Sequence, residues 1–325
     1  MRIALPPAID ANAFAGLNRH LPILSLEGEA MGTGWRVLYA HPSADPAAVR
    51  ALVERRLAGI VDQMSHWAAD SLLTRFNRAP VGGWITLPRD FASVIDAALT
   101  LADISGGAFD PAIGRLVDAW GFGPPGPVAA PPNASTVRTL LDIGNWRRLA
   151  WDAPLARLRQ PGGLSLDLSG IAKGHAVDAV ATALADAGIA HLLVEIGGEL
   201  AGRGVRPDGE PWWVDLEDPP GVTLPPLRIA LHGIAVATSG NYRRGDHSID
   251  PRTGMPATGD VVSASVIAPL ARDADGWATA LTVLGAEAGM ALASEHGIAA
   301  RLVTRGGDGG GDERLSPALL AMLDD

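Results

Sequence analysis

The stretch LDLSGIAKGHAVDAV, Leu166 to Val180, contains the only lysine of the chain, Lys173, among 26 cationic side chains. It reads as the end of a short apolar strand at Asp167, a Ser169-Gly170 turn, and a helix that carries Lys173 and Asp178. A strand that turns directly into a helix exposes backbone N–H groups, where the helix dipole and a nearby ammonium stabilise an anion such as a phosphate or pyrophosphate. Lysine suits such a place better than arginine when a compact point charge must enter a crowded pocket. The plainer reading is a lysine snorkelling from its helix. A chain that otherwise uses arginine for positive charge favours the first.

Outward from this segment, the spacing predicts helices over Asp45–Met64, opened by Asp45-Pro46, over Asp90–Ile104, Ile171–Ala187 and Ala271–Ala293. Short strands are predicted at Gly34–Ala40, Gly163–Leu166, His191–Glu195, Trp212–Leu216, Arg228–Leu231 and Val261–Ile267. Strands outnumber crossover helices, so the fold class is α+β. Residues 1–30 read as an irregular N-terminal arm and 31–325 as a single domain, with a Pro/Gly-rich surface loop over 123–135. The glycine-dense Arg305–Arg314 reads as a flexible turn.

Composition narrows the function classes. A hydrophobic content of 47% over 325 residues suffices for a sizeable core, and a net charge of −10 without a basic run argues against nucleic acid as a partner. No apolar stretch approaches the roughly 18 residues of a membrane span. The absence of cysteine excludes disulfides, thiolate metal sites and a cysteine nucleophile. No signal peptide or lipid-anchoring cysteine is visible, so a cytoplasmic location is expected, or a periplasmic one if the true start lies upstream.

Four other stretches carry candidate chemistry. In RDADGWATALTVLG (Arg272–Gly285) a helix places Asp275 and Thr279 at i and i+4, about 6 Å apart, as two hard oxygen ligands suited to Mg²⁺. Equally, Asp275 is a first-turn helix residue and Thr279 a hydroxyl bonded to its own backbone. The polar segment Thr238–Pro256 holds Tyr242, His247, Asp250 and Arg252, although DPRTG is also good turn chemistry. In Gly106–Gly123, Asp110-Pro111 reads as a helix start, and Phe109, Trp120 and Phe122 either fill the core or flank a planar ring. LVEIGGELAGRG (Leu193–Gly204) runs from a strand into glycines that bring the backbone close to a chain segment or a ligand.

In this order, MGTGW (31–35), MSHWAADSLLTRFN (64–77), GAFDPAIGRLVDAWGFG (107–123), LDLSGIAKGHAVD, LVEIGGE, ATSGNYRRGDHSIDPRTG and SASVIAPLARDADGWATAL resemble the ApbE family of FAD:protein FMN transferases. The match spans about Met31 to Leu284, and its specificity lies in seven motifs in family order. The resemblance implies an α+β, T-fold-like architecture with FAD in a cleft. It also implies Mg²⁺-dependent transfer of FMN from FAD to a Thr or Ser hydroxyl of a target flavoprotein, with release of AMP. The implied acceptor carries a Ser/Thr/Gly-rich motif.

By the same resemblance Asp275 and Thr279 are metal ligands and Gly170 supplies a carbonyl. Lys173, Asp167, Met31, Trp67, Ile249 and the run Ala108-Phe109-Asp110 contact FAD, and His247 lies near the reacting phosphate. Lys173, His247 and Asp275 are the implied catalytic set. Ala278 departs from the pattern, placing a methyl group where many relatives have a polar side chain beside the metal-binding threonine. Alternatives to transfer onto protein are an FAD pyrophosphatase releasing FMN and AMP, and an FAD-binding protein without turnover.

Overall fold

The computed structural model describes residues 1–9, 11–240, 248–257, 259–305 and 311–323. The run HLLVEI, His191–Ile196, shows how the chain builds its core. Leu192, Val194 and Ile196 face one side of a sheet and Leu193 the other, and both sides are covered, so the strand reads as a continuous apolar run. It lies within an eight-stranded sheet of spatial order Gly311–Leu315, Ala299–Arg305, Val261–Ala268, Ile234–Gly240, Glu199–Arg203, His191–Ile196, Thr33–Ala40, Leu24–Ala30. All neighbouring pairs are antiparallel.

Among the described residues, the helices Pro46–Met64, Ala172–Asp186 and Ala271–Leu284 cover one face, joined at its edge by Ala286–Glu295. Ala172–Asp186 and Ala271–Leu284, which matter most for the site, are called here the lysine helix and the aspartate helix. In the first helix Asp45 caps the N-terminus, Pro46 opens it, and Val49, Val53, Leu57, Ile60 and Met64 form its buried stripe. Leu57, Val177 and Leu281 meet Val37, Val194 and Val266 of the sheet in one core cluster. On the second face, Leu193, Val236 and Ile267 pack against a small sheet of Arg2–Ala4, Leu227–Leu231 and Trp212–Asp215. No described helix is long and apolar enough to cross a membrane.

The architecture is α+β, as the strand count predicts, with several local differences. The segment expected to be an irregular arm supplies two strands, Arg2–Ala4 to the small sheet and Leu24–Ala30 to the edge of the large one. Gly163–Leu166 forms no strand; its one bridge joins Ser165 to Ile113. The helix expected over Ala271–Ala293 is interrupted at Gly285, whose φ of 81° no helix sustains, and restarts as Ala286–Glu295 with Asp260 accepting from the Ala286 N–H. The 123–135 loop gives its last two residues to a helix, Ala134–Ile143, capped by Asn133. Part of the predicted glycine turn, Gly311–Leu315, is an edge strand.

Asp90 ties the helical layer together. It accepts two hydrogen bonds from Arg56, at 2.7 and 2.6 Å, and lies 3.2 Å from His175 Nε2 on the lysine helix. The Arg56 guanidinium holds its carboxyl down at about 2. A depressed carboxyl stabilises the fold above its unfolded pKa, and that stability is lost as pH falls through the folded value. Asp90→Asn is therefore expected to cost on the order of 1 kcal/mol at pH 7, the pair being partly solvated. Denaturant titrations of both proteins should show the difference narrowing between pH 4 and about 2.

Candidate active site

Gly174, in the first turn of the lysine helix, sets the geometry of the site. A Cβ placed there would lie 2.1 Å from the carbonyl oxygen of Ala271, the first residue of the aspartate helix, so the two helices meet backbone to backbone. Neither helix has a side-chain cap of its own. Each is served by a carboxylate on the other. Asp178 accepts from Ala271 N and Arg272 N, both at 2.9 Å, and Asp275 Oδ2 accepts from Gly174 N at 3.0 Å. These bonds satisfy N–H groups that a helix N-terminus otherwise leaves unpaired. Burial pushes the Asp178 carboxyl up to about 6 against the pull of its two N–H donors.

The crossing gathers the residues singled out in the two helices. Lys173 Nζ lies 3.7 Å from Asp275 Oδ1. One turn further, Thr279 Oγ1 is 3.4 Å from the carbonyl oxygen of Gly170. A Cβ on Gly170 would sit 2.9 Å from Thr279 Oγ1 and 3.4 Å from the Phe109 ring, so glycine allows these three groups to converge. The plainer reading of this pair does not hold: Asp275 is the fifth residue of its helix, beyond the first turn, and the Thr279 hydroxyl is directed at the Gly170 carbonyl and not at its own backbone. Ala278 points into the core and is fully buried.

Glu199 completes the cluster. Lys173 donates a hydrogen bond to its Oε1, while its buried Oε2 has no hydrogen-bond partner among the described residues. Burial pushes the Glu199 carboxyl upward; Lys173 opposes the shift and Asp275 adds to it. Its turn, Gly197-Gly198, is tied to the hairpin of Met31 by the bond from Gly197 N to Gly34 O, 3.1 Å. Met31 and Gly32 form the two-residue tip of that hairpin, both with positive φ, 54° and 72°. Such a conformation is strained for methionine and typical of a turn held for use.

The other predicted residues fall at varying distances from this centre. Asp167 accepts from Ser169 N at 2.7 Å and lies 3.6 Å from His66 Nδ1. His66 in turn flanks the exposed indole of Trp67, with ring centroids 5.3 Å apart. Asp110 is not a helix cap: the helix begins at Gly114, and the carboxylate accepts from Ala112 N and Trp146 N. Burial pushes it up to about 7. The side chains of Ala108 and Ile249 are buried in separate apolar clusters, Ala108 with Ala257 and Val283, Ile249 with Leu116 and Val137. Asp250 serves the turn, accepting from Arg252 N. Tyr242 and His247 lie outside the described residues.

Three residues that the sequence reading passed over shape the site: Glu199, Asp178 as a cap in trans, and Asn77. The Asn77 amide accepts from Leu166 N at 2.7 Å and donates to Leu166 O at 3.0 Å, fixing the stretch before the turn in place of a strand ladder. Glu199 and Asn77 stand inside the quoted motifs LVEIGGE and MSHWAADSLLTRFN, the one signal that could have found them.

Among the described residues no three His, Asp or Glu side chains converge as a metal cluster. The donors that do converge, the Asp275 carboxylate, the Thr279 hydroxyl and the Gly170 carbonyl, are hard oxygens. That set fits a small divalent cation such as Mg²⁺.

The chain is thus a strand-rich α+β protein that gathers a lysine, buried carboxylates and hard oxygen donors at one helix crossing. The ApbE family model matches residues 31–302, and the chain belongs to the ApbE family. It is 34% identical to a Vibrio cholerae protein named FAD:protein FMN transferase, over 91% of each chain. It is 33% identical to one of the same name from Klebsiella pneumoniae, over 87% of this chain and 85% of that one. Among solved structures, the flavin transferase ApbE from Vibrio cholerae superposes with a TM-score of 0.86 at 33% identity, covering 93% of this chain and 99% of that chain. The apo flavinyl transferase ApbE of Pseudomonas stutzeri gives 0.87 at 33% identity, covering 93% and 97%.

Because the crossing has no room for a methyl group, Gly174→Ala is expected to force the helices apart at a cost of about 3 kcal/mol. Thermal melts should register that loss. Retention of the wild-type melting temperature would show that the crossing is not close-packed.

Proposed function

We propose that this enzyme, a transferase like its named relatives, is a Mg²⁺-dependent FAD:protein FMN transferase. The acceptor is a flavoprotein carrying a reactive Thr or Ser in a Ser/Thr/Gly-rich segment. The observation that carries the reading is the meeting of Lys173, Asp275, Thr279 and Gly170 at the Gly174 crossing in a chain of this family.

The acceptor hydroxyl oxygen bonds to the FMN phosphorus, and the bond from that phosphorus to the bridging oxygen breaks. AMP leaves with its phosphate, and the hydroxyl proton passes to a base, for which His247 is the residue the family pattern suggests. Asp275, Thr279 and the Gly170 carbonyl would hold Mg²⁺, which supplies positive charge to the pyrophosphate. Lys173 adds a point charge where negative charge grows on the leaving phosphate. The exposed Trp67 indole and the strained Met31 hairpin suit the recognition of a planar ring system.

Incubation with FAD, Mg²⁺ and a flavoprotein bearing such a segment is expected to release AMP in step with covalent flavin on the acceptor. AMP without labelled protein would instead indicate an FAD pyrophosphatase, and bound FAD without AMP a carrier. Asp275→Ala is expected to lower turnover by about 10³-fold; its persistence would refute the metal-ligand assignment.

A further inference from the structure

A lysine reaches its target on a flexible four-carbon stem, so a charge meant for one place needs something rigid to hold it. Here the rigid partner is Glu199. Its side chain is 3% exposed against 26% for Lys173, so the carboxylate is the fixed member of the pair and the ammonium the movable one. The fixing is done by backbone. Glu199 opens the strand Glu199–Arg203, pairs with Ile196, and follows two glycines with φ of 67° and 106°. Strand alternation turns Glu199 and Ala201 toward the helices and Leu200 away. A Cβ on Gly197 would lie 2.9 Å from the Thr33 methyl and 3.4 Å from Glu199 Oε2, so the hairpin wall closes around the carboxylate.

A buried carboxylate oxygen without a hydrogen-bond partner among the described residues is costly, so its presence calls for a role. Resting on the transferase reading above, we propose that Glu199 is a positioning residue that draws the Lys173 ammonium away from Asp275, leaving Asp275 Oδ1 available to a divalent cation while Lys173 faces the FAD phosphates. The geometry agrees: Lys173 hydrogen-bonds Glu199 and keeps only an ion-pair distance, 3.7 Å, from Asp275, beyond hydrogen-bond reach. Without the Glu199 charge, less holds the ammonium back from Asp275, where it competes with the cation.

The single lysine makes this measurable without turnover. In protein grown with ¹³C,¹⁵N-lysine, every lysine side-chain resonance belongs to Lys173. In Glu199→Gln, of unchanged shape, the ε-carbon and ζ-nitrogen resonances of the metal-free protein are expected to move by more than a linewidth. Mn²⁺ binding, followed by the EPR signal of the free ion, is expected to weaken about tenfold. In a Lys173→Met background the same substitution should change Mn²⁺ binding less than twofold. If Glu199→Gln fails to melt cooperatively, Glu199→Asp, which retracts the carboxylate by one methylene, takes its place with the same directions expected. Unmoved resonances, unchanged Mn²⁺ affinity, or equal weakening in both backgrounds would overturn the proposal. These readouts need no FMN transfer, so a wild-type protein inactive toward acceptors would refute the transferase reading and leave the positioning role decided by resonance and metal binding.

Discussion

Everything at the site depends on the backbone contact between the lysine helix and the aspartate helix at Gly174. Two helices bearing ordinary side chains stay about 8–10 Å apart at their axes. A glycine against the Ala271 carbonyl lets these come closer, so that a carboxylate on each reaches the first-turn N–H groups of the other. The exchange supplies caps that neither local sequence provides. It also fixes Asp275 by one oxygen and turns the other toward Lys173, which makes a structural contact part of the functional one.

The electrostatics follow from that packing. Burial raises the Glu199 carboxyl, the neighbouring Asp275 adds to the shift, and the Lys173 ammonium opposes it. A neutral, self-satisfied cluster would be more stable and less useful. Around this centre the chain places a strained hairpin tip, an exposed indole and the clamped Leu166 segment, each anchored to a different element of the core. The scaffold thus presents groups from distant parts of the sequence along one crossing.

Much of the fold was legible because its signals are local. The Asp45-Pro46 start and the apolar stripe to Met64 define a helix without tertiary help, and HLLVEI reads as a buried strand from its composition. The edge strands were not. Leu24–Ala30 carries two glutamates and a glycine, and Gly311–Leu315 is mostly charged, as befits strands that must not recruit neighbours. For the site, Asp275 and Thr279 were visible from i, i+4 spacing and Lys173 from its uniqueness. Glu199 and Asp178 were not legible as site residues, because their partners lie 26 and 93 residues away and only the packed helices and sheet reveal them. Asp110 misled for the opposite reason: Asp-Pro is a good local helix start, but the carboxylate is taken by Ala112 and Trp146.

The central claim is that the Gly174 crossing assembles one metal and phosphate site from the two helices. Its most direct test is a crystal structure of the protein with FAD and Mn²⁺, collected for the anomalous signal of the metal. One peak is expected, bounded by the Asp275 carboxylate, the Thr279 hydroxyl and the Gly170 carbonyl, with the FAD pyrophosphate between it and Lys173. A metal held elsewhere, or a pyrophosphate out of reach of Lys173, would contradict it.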